Sequence, residues 1–409
     1  MSHSAWPTRR LRRHLGVGYA SSGAEDDLSS ADPDSWEIPV TTETPAAHRY
    51  DAGALEAFAE EVLVRAGLST EDARTVAPLI VRADLRGIET HGLVRLPMYA
   101  DRIRSGGIDP GASMQFVRSS GATALLDAAG GMGHLAAHRA MERALELAAS
   151  VGVGVVGVRG SGHFGATDAY AMYAPPRGMI GIVTTNAPPA LAPTGGLTPL
   201  FGTNPWAMAV PAGREEPIVM DFALTAVARG RIRKALDLGQ AIPTTWALDK
   251  DGHPTADPAA ALEGLLQPIG GHKGYAMALA VDVLAGLLTG ASSTSDLQPP
   301  QDAAARQDVG HLFIAIDVAR FSTVDTFTSR VDGLVRQVRG SARAEGVERI
   351  YLPGEIEHER EMDATAHGVP LSAHVVRALA GTAEAYEVEL PSPLDRAEGP
   401  RADEPAGPR

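Results

Sequence analysis

The sequence contains no cysteine, which excludes disulfides, zinc ribbons and thiol catalysis together. It also lacks any apolar run near the ~18 residues that a membrane span needs. Positive charge is in deficit: 36 Lys and Arg stand against 50 Asp and Glu, a net charge of −14. Neither nucleic acid nor an anionic membrane is therefore expected as the main partner. Four arginines lie between Arg9 and Arg13, but no apolar core of roughly 7–15 residues follows them, so a secretory signal fails. The expectation is a cytoplasmic protein. Aromatics make up only 5% of the residues, whereas 44 glycines and 29 prolines imply many turns between short elements.

At 409 residues, two or three domains are the starting expectation. Residues 1–47 and 391–409 are Pro-rich and charged and are expected to be disordered extensions. Helices are expected over Tyr50–Ala66, ended by Gly67, and from Thr70, taken as the N-cap, through Ala83. From Met114 the pattern changes. Met114–Arg118 and Ala122–Asp127 read as paired strands, His134–Ser150 as a helix, and Val151–Arg159 and Met179–Thr185 as strands. Residues 186–211 carry six prolines and little regular pattern, which points to function rather than to an idle loop. Beyond them come a strand Ile218–Phe222, helices Thr225–Leu236, Ala276–Leu288 and Val324–Glu345, and a strand Gly310–Asp317. A short strand Ile350–Glu355 and a closing helix Ser372–Ala383 complete the series.

The chain is organised around Ala83–Pro110. It sets His91 beside a glycine, Arg95 four residues on and Tyr99 four further. Pro97 must sit in the first turn of the helix that follows or kink it. With His91 just ahead of that helix, an imidazole, a fixed cation and a phenol can share one pocket. Such a set suits a small carboxylate whose neighbouring carbon exchanges a proton and a hydride. Alone, a histidine beside a glycine is more often a turn residue than a catalyst, so the rest of the chain decides.

Gly160-Ser-Gly162-His-Phe-Gly165 matches the dinucleotide fingerprint GxGxxG, and Gly131–Ala136 matches its looser form. A Rossmann unit also needs an acid about 20 residues on, at the end of the second strand. That strand ends in Asn186, and the first ordered elements are helical. Both observations argue against a Rossmann domain. His134 and His138 have a metal-like i,i+4 spacing without a third ligand, so no metal site is assigned.

Eight segments in order, from ADLRGIETHGLVRLPMY and SGHFGATDAYA through MIGIVTTNAPP, PLFGTNPWAMAVP, DFALTAVARGRI, IPTTWALDKDGHPTADP and GGHKGYAMALAVDVLAG to YLPGE, resemble the malate/L-lactate dehydrogenase family. The resemblance runs from about residue 50 to 385. It implies a sulfolactate-dehydrogenase-like α/β fold. A non-Rossmann NAD(P)-binding domain over 113–320 would join a helical domain built from 48–112, which holds the catalytic histidine, and 321–390. It implies His91 as acid/base with Thr90 before it, His163 as a second active-site histidine, and Arg95, Tyr99 and Thr203 as substrate contacts. Asp221, Phe222, Ala223, Lys273, Gly354, Glu355 and Ile356 would hold the cofactor. The cofactor is NAD or NADP, with NAD placed first. The partners implied are a small carboxylate substrate and a second copy of the chain in a homodimer.

A histidine near its free pKa of ~6.5 can serve both directions of a 2-hydroxy acid dehydrogenase, and an arginine is the planar clamp a carboxylate calls for. Hydride transfer requires a nicotinamide. The leading reading is a malate, lactate or sulfolactate type of enzyme. Ureidoglycolate dehydrogenase and cyclic-imine reductase are the alternatives, with an inactive binding homologue outside the class. Some imine-reducing relatives place an acid where this chain has Arg231, which speaks against imine reduction.

Overall fold

The computed structural model describes residues 48–394. The expected disorder of 1–47 and of most of 391–409 lies outside them.

Strand β1 (His48–Tyr50) leads into α1 (Ala52–Ala66) and α2 (Thr70–Leu85). Helix α1 stops at Gly67, whose φ of 126° costs a side-chain-bearing residue strain. The cap of α2 is Ser69 rather than Thr70: its hydroxyl accepts the Asp72 N–H, and Glu71 and Asp72 favour the positive helix end. Two 3₁₀ turns, Glu89–His91 and Leu93–Arg95, precede α3 (Leu96–Arg104), with Pro97 in its first turn. Apolar residues of these helices meet those of β11 (Val369–Leu371) and α11 (Ala373–Tyr386) in one core that includes Leu55, Ile80, Leu96, Val369 and Leu379. The two ends of the described chain thus share a helical core. Strand β11 pairs antiparallel with β1.

The second core lies on a seven-stranded sheet of order β2-β3-β4-β10-β5-β6-β7. Its strands are β2 (Gln115–Ser120), β3 (Thr123–Asp127), β4 (Val153–Ser161), β5 (Met179–Thr185), β6 (Trp206–Val210), β7 (Ile218–Phe222) and β10 (Val309–Asp317). Among the described residues, only β3 and β4 of this sheet run parallel, connected by α4 (Gly133–Val151); its other pairs are antiparallel. A Rossmann sheet is mostly parallel, so the topology is of another kind. Strand β10 arrives late in sequence and wedges between β4 and β5, an order that local periodicity cannot reveal.

The remaining elements are α5 (Asp168–Ala171), α6 (Arg229–Asp237), the β8 (Ala247–Leu248) and β9 (Leu265–Leu266) pair with α7 (Pro258–Glu263) between them, α8 (His272–Val281), α9 (Val324–Arg339) and α10 (Glu355–His367). Several differ from expectation. Strand β6 lies inside the Pro-rich stretch, bracketed by Pro205 and Pro211, which hid it. Helix α6 starts only at Arg229, because Thr225 pairs with Pro268 and its hydroxyl donates to the Val227 carbonyl. Helix α8 starts at His272 and runs on as a π-helical stretch, Asp282–Leu287. Helix α9 ends at Gly340 rather than at 345. Ile350–Glu355 forms no strand. Gly354 turns there at φ 86°, and Glu355 opens α10, a helix without an apolar stripe to announce it.

Candidate active site

His91 sits in the first 3₁₀ turn, and a buried acid fixes that loop. The Asp84 carboxylate accepts the Leu93 N–H at 2.7 Å. A side chain at position 92 would run into that carboxylate, so only glycine lets the chain pass. Burial raises the Asp84 pKa well above its usual range, with the Leu93 N–H opposing and Glu89 adding to the rise. The Thr90 hydroxyl lies 2.9 Å from His91 Nδ1, and Arg95 Nε donates to the Thr90 carbonyl at 2.7 Å. These bonds orient the imidazole and hold the guanidinium beside it. Burial first, and Arg95 second, push the His91 pKa down to about 4 rather than leaving it near 6.5.

His163 arrives from the other core, on the loop after β4. The glycines of the two fingerprint matches explain its placement. A side chain at Gly133 would collide with the carbonyls of Gly162 and His163, so the start of α4 can lie against this loop. Gly130 N–H also donates to the Gly160 carbonyl at 2.7 Å. Both motifs therefore serve backbone-to-backbone packing here. Gln307 accepts the His163 N–H at 3.1 Å. The rings of His91 and His163 stack at 5.6 Å between centroids, 18° from parallel, so the two histidines share one cleft.

Tyr99 is fully buried, with its hydroxyl 2.6 Å from His163 Nδ1. It touches the imidazole and presents no surface to a substrate. His134 packs edge-on to the Tyr99 ring at 4.9 Å, fully buried, and burial holds its pKa at about 3. His138 turns away to Tyr173, 3.2 Å from its hydroxyl. Behind His163, Phe164 stacks on His311 at 4.4 Å, and His311 is held between Thr185 and Ser161.

An ion pair links this cluster to the sheet edge. Arg86 Nε meets Asp168 at 2.8 Å, both side chains 2% exposed, and its other arm meets Glu361 at 2.7 Å. The Asp168 N–H in turn donates to the Asp221 carboxylate at 2.9 Å. Asp221 and Phe222 lie exposed at the end of β7. Gly354 packs on Val219 of the same strand, and Val219 N–H donates to the Pro353 carbonyl, so the 354–356 turn lies alongside Asp221. The Glu355 carboxylate is committed inward, to Arg339, Arg349 and the Leu352 N–H. The Thr203 carbonyl accepts the Leu224 N–H at 2.8 Å, and the Leu224 carbonyl accepts the Ile269 N–H just ahead of Gly270 and Gly271. Lys273 stands exposed in the first turn of α8. Gly230, at the start of α6, approaches the Thr90 methyl, so a side chain added there would sit 3.4 Å from it.

Sequence reasoning assigned no role to Asp84, Arg86, Asp168 and Gln307, which hold the cluster. Arg86, Asp168 and Gln307 act through contacts distant in sequence, and Asp84 reaches Leu93 only because the chain turns back over nine residues, so no local pattern marks them.

The residues at this open edge are of the kinds a dinucleotide needs: the Asp221 carboxyl group can bond ribose hydroxyls, and Lys273 in the first turn of α8 can meet a phosphate. Ahead of that lysine are two positive-φ glycines with open space where side chains would stand.

Residues 50–380 match the malate/L-lactate dehydrogenase family. The L-sulfolactate dehydrogenase of Methanocaldococcus jannaschii is 41% identical over 302 residues, 74% of this chain and 87% of the relative. The NAD(+)-dependent ureidoglycolate dehydrogenase of Escherichia coli K12 is 34% identical, over 82% of this chain and 97% of the relative. The crystal structure of malate dehydrogenase from Entamoeba histolytica superposes with a TM-score of 0.81 at 33% identity, covering 85% of this chain and all of that one. The chain belongs to the malate/L-lactate dehydrogenase family.

Proposed function

We propose that this dehydrogenase interconverts a small anionic 2-hydroxy acid, of sulfolactate or malate type, and its 2-keto acid, with His91 as the proton-exchanging group. The observation that carries this reading is the stacked His91–His163 pair with Arg95 beside it. His91, neutral above pH 4, accepts the substrate hydroxyl proton as the carbon–oxygen double bond forms. The bound nicotinamide supplies the hydride acceptor that no side chain can provide. Arg95 pairs with the substrate carboxylate. That pairing offsets the cation's effect on His91 and raises its proton affinity when substrate is bound, which suits the reverse reaction.

Asp221, with Phe222 and Ala223, is assigned to the ribose, and Lys273 to a phosphate. Gly354 and Ile356 border the same rim, and Glu355 shapes it from inside. NAD is placed ahead of NADP because the Asp221 carboxyl group at the strand end can bond ribose hydroxyls whether or not it is ionised; burial and the neighbouring Asp168 raise its pKa well above the usual range. Thr203, whose carbonyl accepts the Leu224 N–H just past β7, is assigned to the substrate. The test is absorbance at 340 nm with sulfopyruvate, oxaloacetate, pyruvate and the 2-keto product of ureidoglycolate, each with either reduced cofactor. Turnover of an anionic 2-keto acid supports the reading; none with any, and no cofactor binding, refutes it.

The working unit is proposed to be a homodimer. Met277, Val283, Leu284, Leu287 and Leu288 are 41–64% exposed along one side of α8 and its π-helical continuation. Side chains this apolar at helical spacing suit a second copy of the chain. Light scattering tests this: a mass of two chains is expected, and a fully active monomer contradicts it.

A further inference from the structure

We propose that Tyr99 is a positioning residue that fixes His163 in the tautomer carrying its proton on Nε2. Two groups approach His163 Nδ1. The Tyr99 hydroxyl lies 2.6 Å away, and the Gly165 backbone N–H is directed at the same nitrogen at 3.3 Å. A backbone N–H can only donate, so Nδ1 must accept and carries no proton. The tyrosine hydroxyl therefore also donates, and the proton of the neutral ring is left on Nε2.

The surroundings keep both partners in those states. Tyr99 is fully buried, and burial raises its pKa well above the usual range, against a smaller opposing effect of Arg95. It stays a phenol and a donor. Burial, followed by His91, Arg95, His134 and His311, holds the His163 pKa well below 6.5. These groups and the Tyr99 phenol face it, and none of them favours an imidazolium. The Tyr99 ring is itself braced edge-on by His134.

The consequence is a division of labour between two stacked rings. His163 is a fixed N–H donor, suited to bonding a substrate oxygen without exchanging its own proton. His91 is left as the ring that gains and loses one. This division rests on the function proposed above; the tautomer itself does not.

The tautomer is read in the free protein labelled with ¹⁵N-histidine, using long-range ¹H–¹⁵N spectra with His163 assigned through His163→Asn. A bare Nδ1 and a protonated Nε2 are expected, and a protonated Nδ1 overturns the proposal whatever the enzyme does. In Tyr99→Phe the ring packing stays but the donor is lost. Only the longer Gly165 bond then holds Nδ1, and the His163 signals should move towards a mixture of tautomers. Signals unchanged from wild type would show that Tyr99 does not fix the ring. With substrate, the same variant should lose about tenfold in kcat, the worth of one ordinary hydrogen bond, with cofactor affinity unchanged. An equal loss in cofactor affinity would indicate general damage and count against a positioning role.

Discussion

The histidine end of the site and the rim proposed for the cofactor are built by opposite means. His163 is held through its ring by Tyr99, through its backbone by Gln307, and against a stacked His91. Asp84 pins the facing loop from beneath. At the rim, Asp221, Phe222 and Lys273 are exposed. The difference separates two tasks. Proton transfer requires groups placed before substrate arrives, because reorganising them during the reaction adds to the barrier. Cofactor binding can gain its contacts on association, at a surface that must also release the product form.

The largest effect is expected where the closed end meets the sheet. Arg86→Met leaves the Asp168 carboxylate buried without its partner, and Asp168 Oδ1 already has none among the described residues. Removing one member of a buried pair costs about 3–5 kcal/mol. Urea unfolding should show a loss of that order; less than about 1 kcal/mol would mean the closed end does not depend on this link.

At the rim the effect should be smaller and should fall on binding. Lys273→Met removes one charged contact at a solvated site, so cofactor Kd should rise about tenfold with kcat at saturation preserved. Unchanged affinity would move the phosphate elsewhere. The smallest effect is a shift of pH profile. For hydroxy acid oxidation, His91 must be neutral, so kcat/KM should fall as pH drops through about 4. Arg95→Leu removes one of two causes holding that pKa down. The acid limb should move upward, yet stay below 6.5 because burial is the larger cause. A limb that does not move would separate Arg95 from His91.

The same contrast explains what the sequence revealed. His91, Arg95 and Tyr99 were legible because two successive turns and one short helix place them, and His163 because it rides on a glycine motif. The use of those glycines was not legible: Gly133 serves a helix that presses on the loop after β4, a contact between distant segments. Tyr99 could be put at the site from its spacing, but its burial, and so its choice of partner, depends on α4 and His134. Helices α1, α2 and α11 followed from apolar periodicity. Helix α10 has almost no buried side, and β6 sits between prolines. Neither carries a local signal that outweighs its surroundings. The position of β10 between β4 and β5 is set by pairing across more than 120 residues.

The central claim is that one imidazole handles the substrate proton within an already assembled pocket. Its most direct test is kcat of His91→Ala at pH 7 on whichever 2-hydroxy acid the wild type oxidises, with circular dichroism and cofactor affinity measured on the same sample. The account predicts a loss of at least ~10²-fold with fold and affinity intact. Turnover within a few-fold of wild type would contradict it.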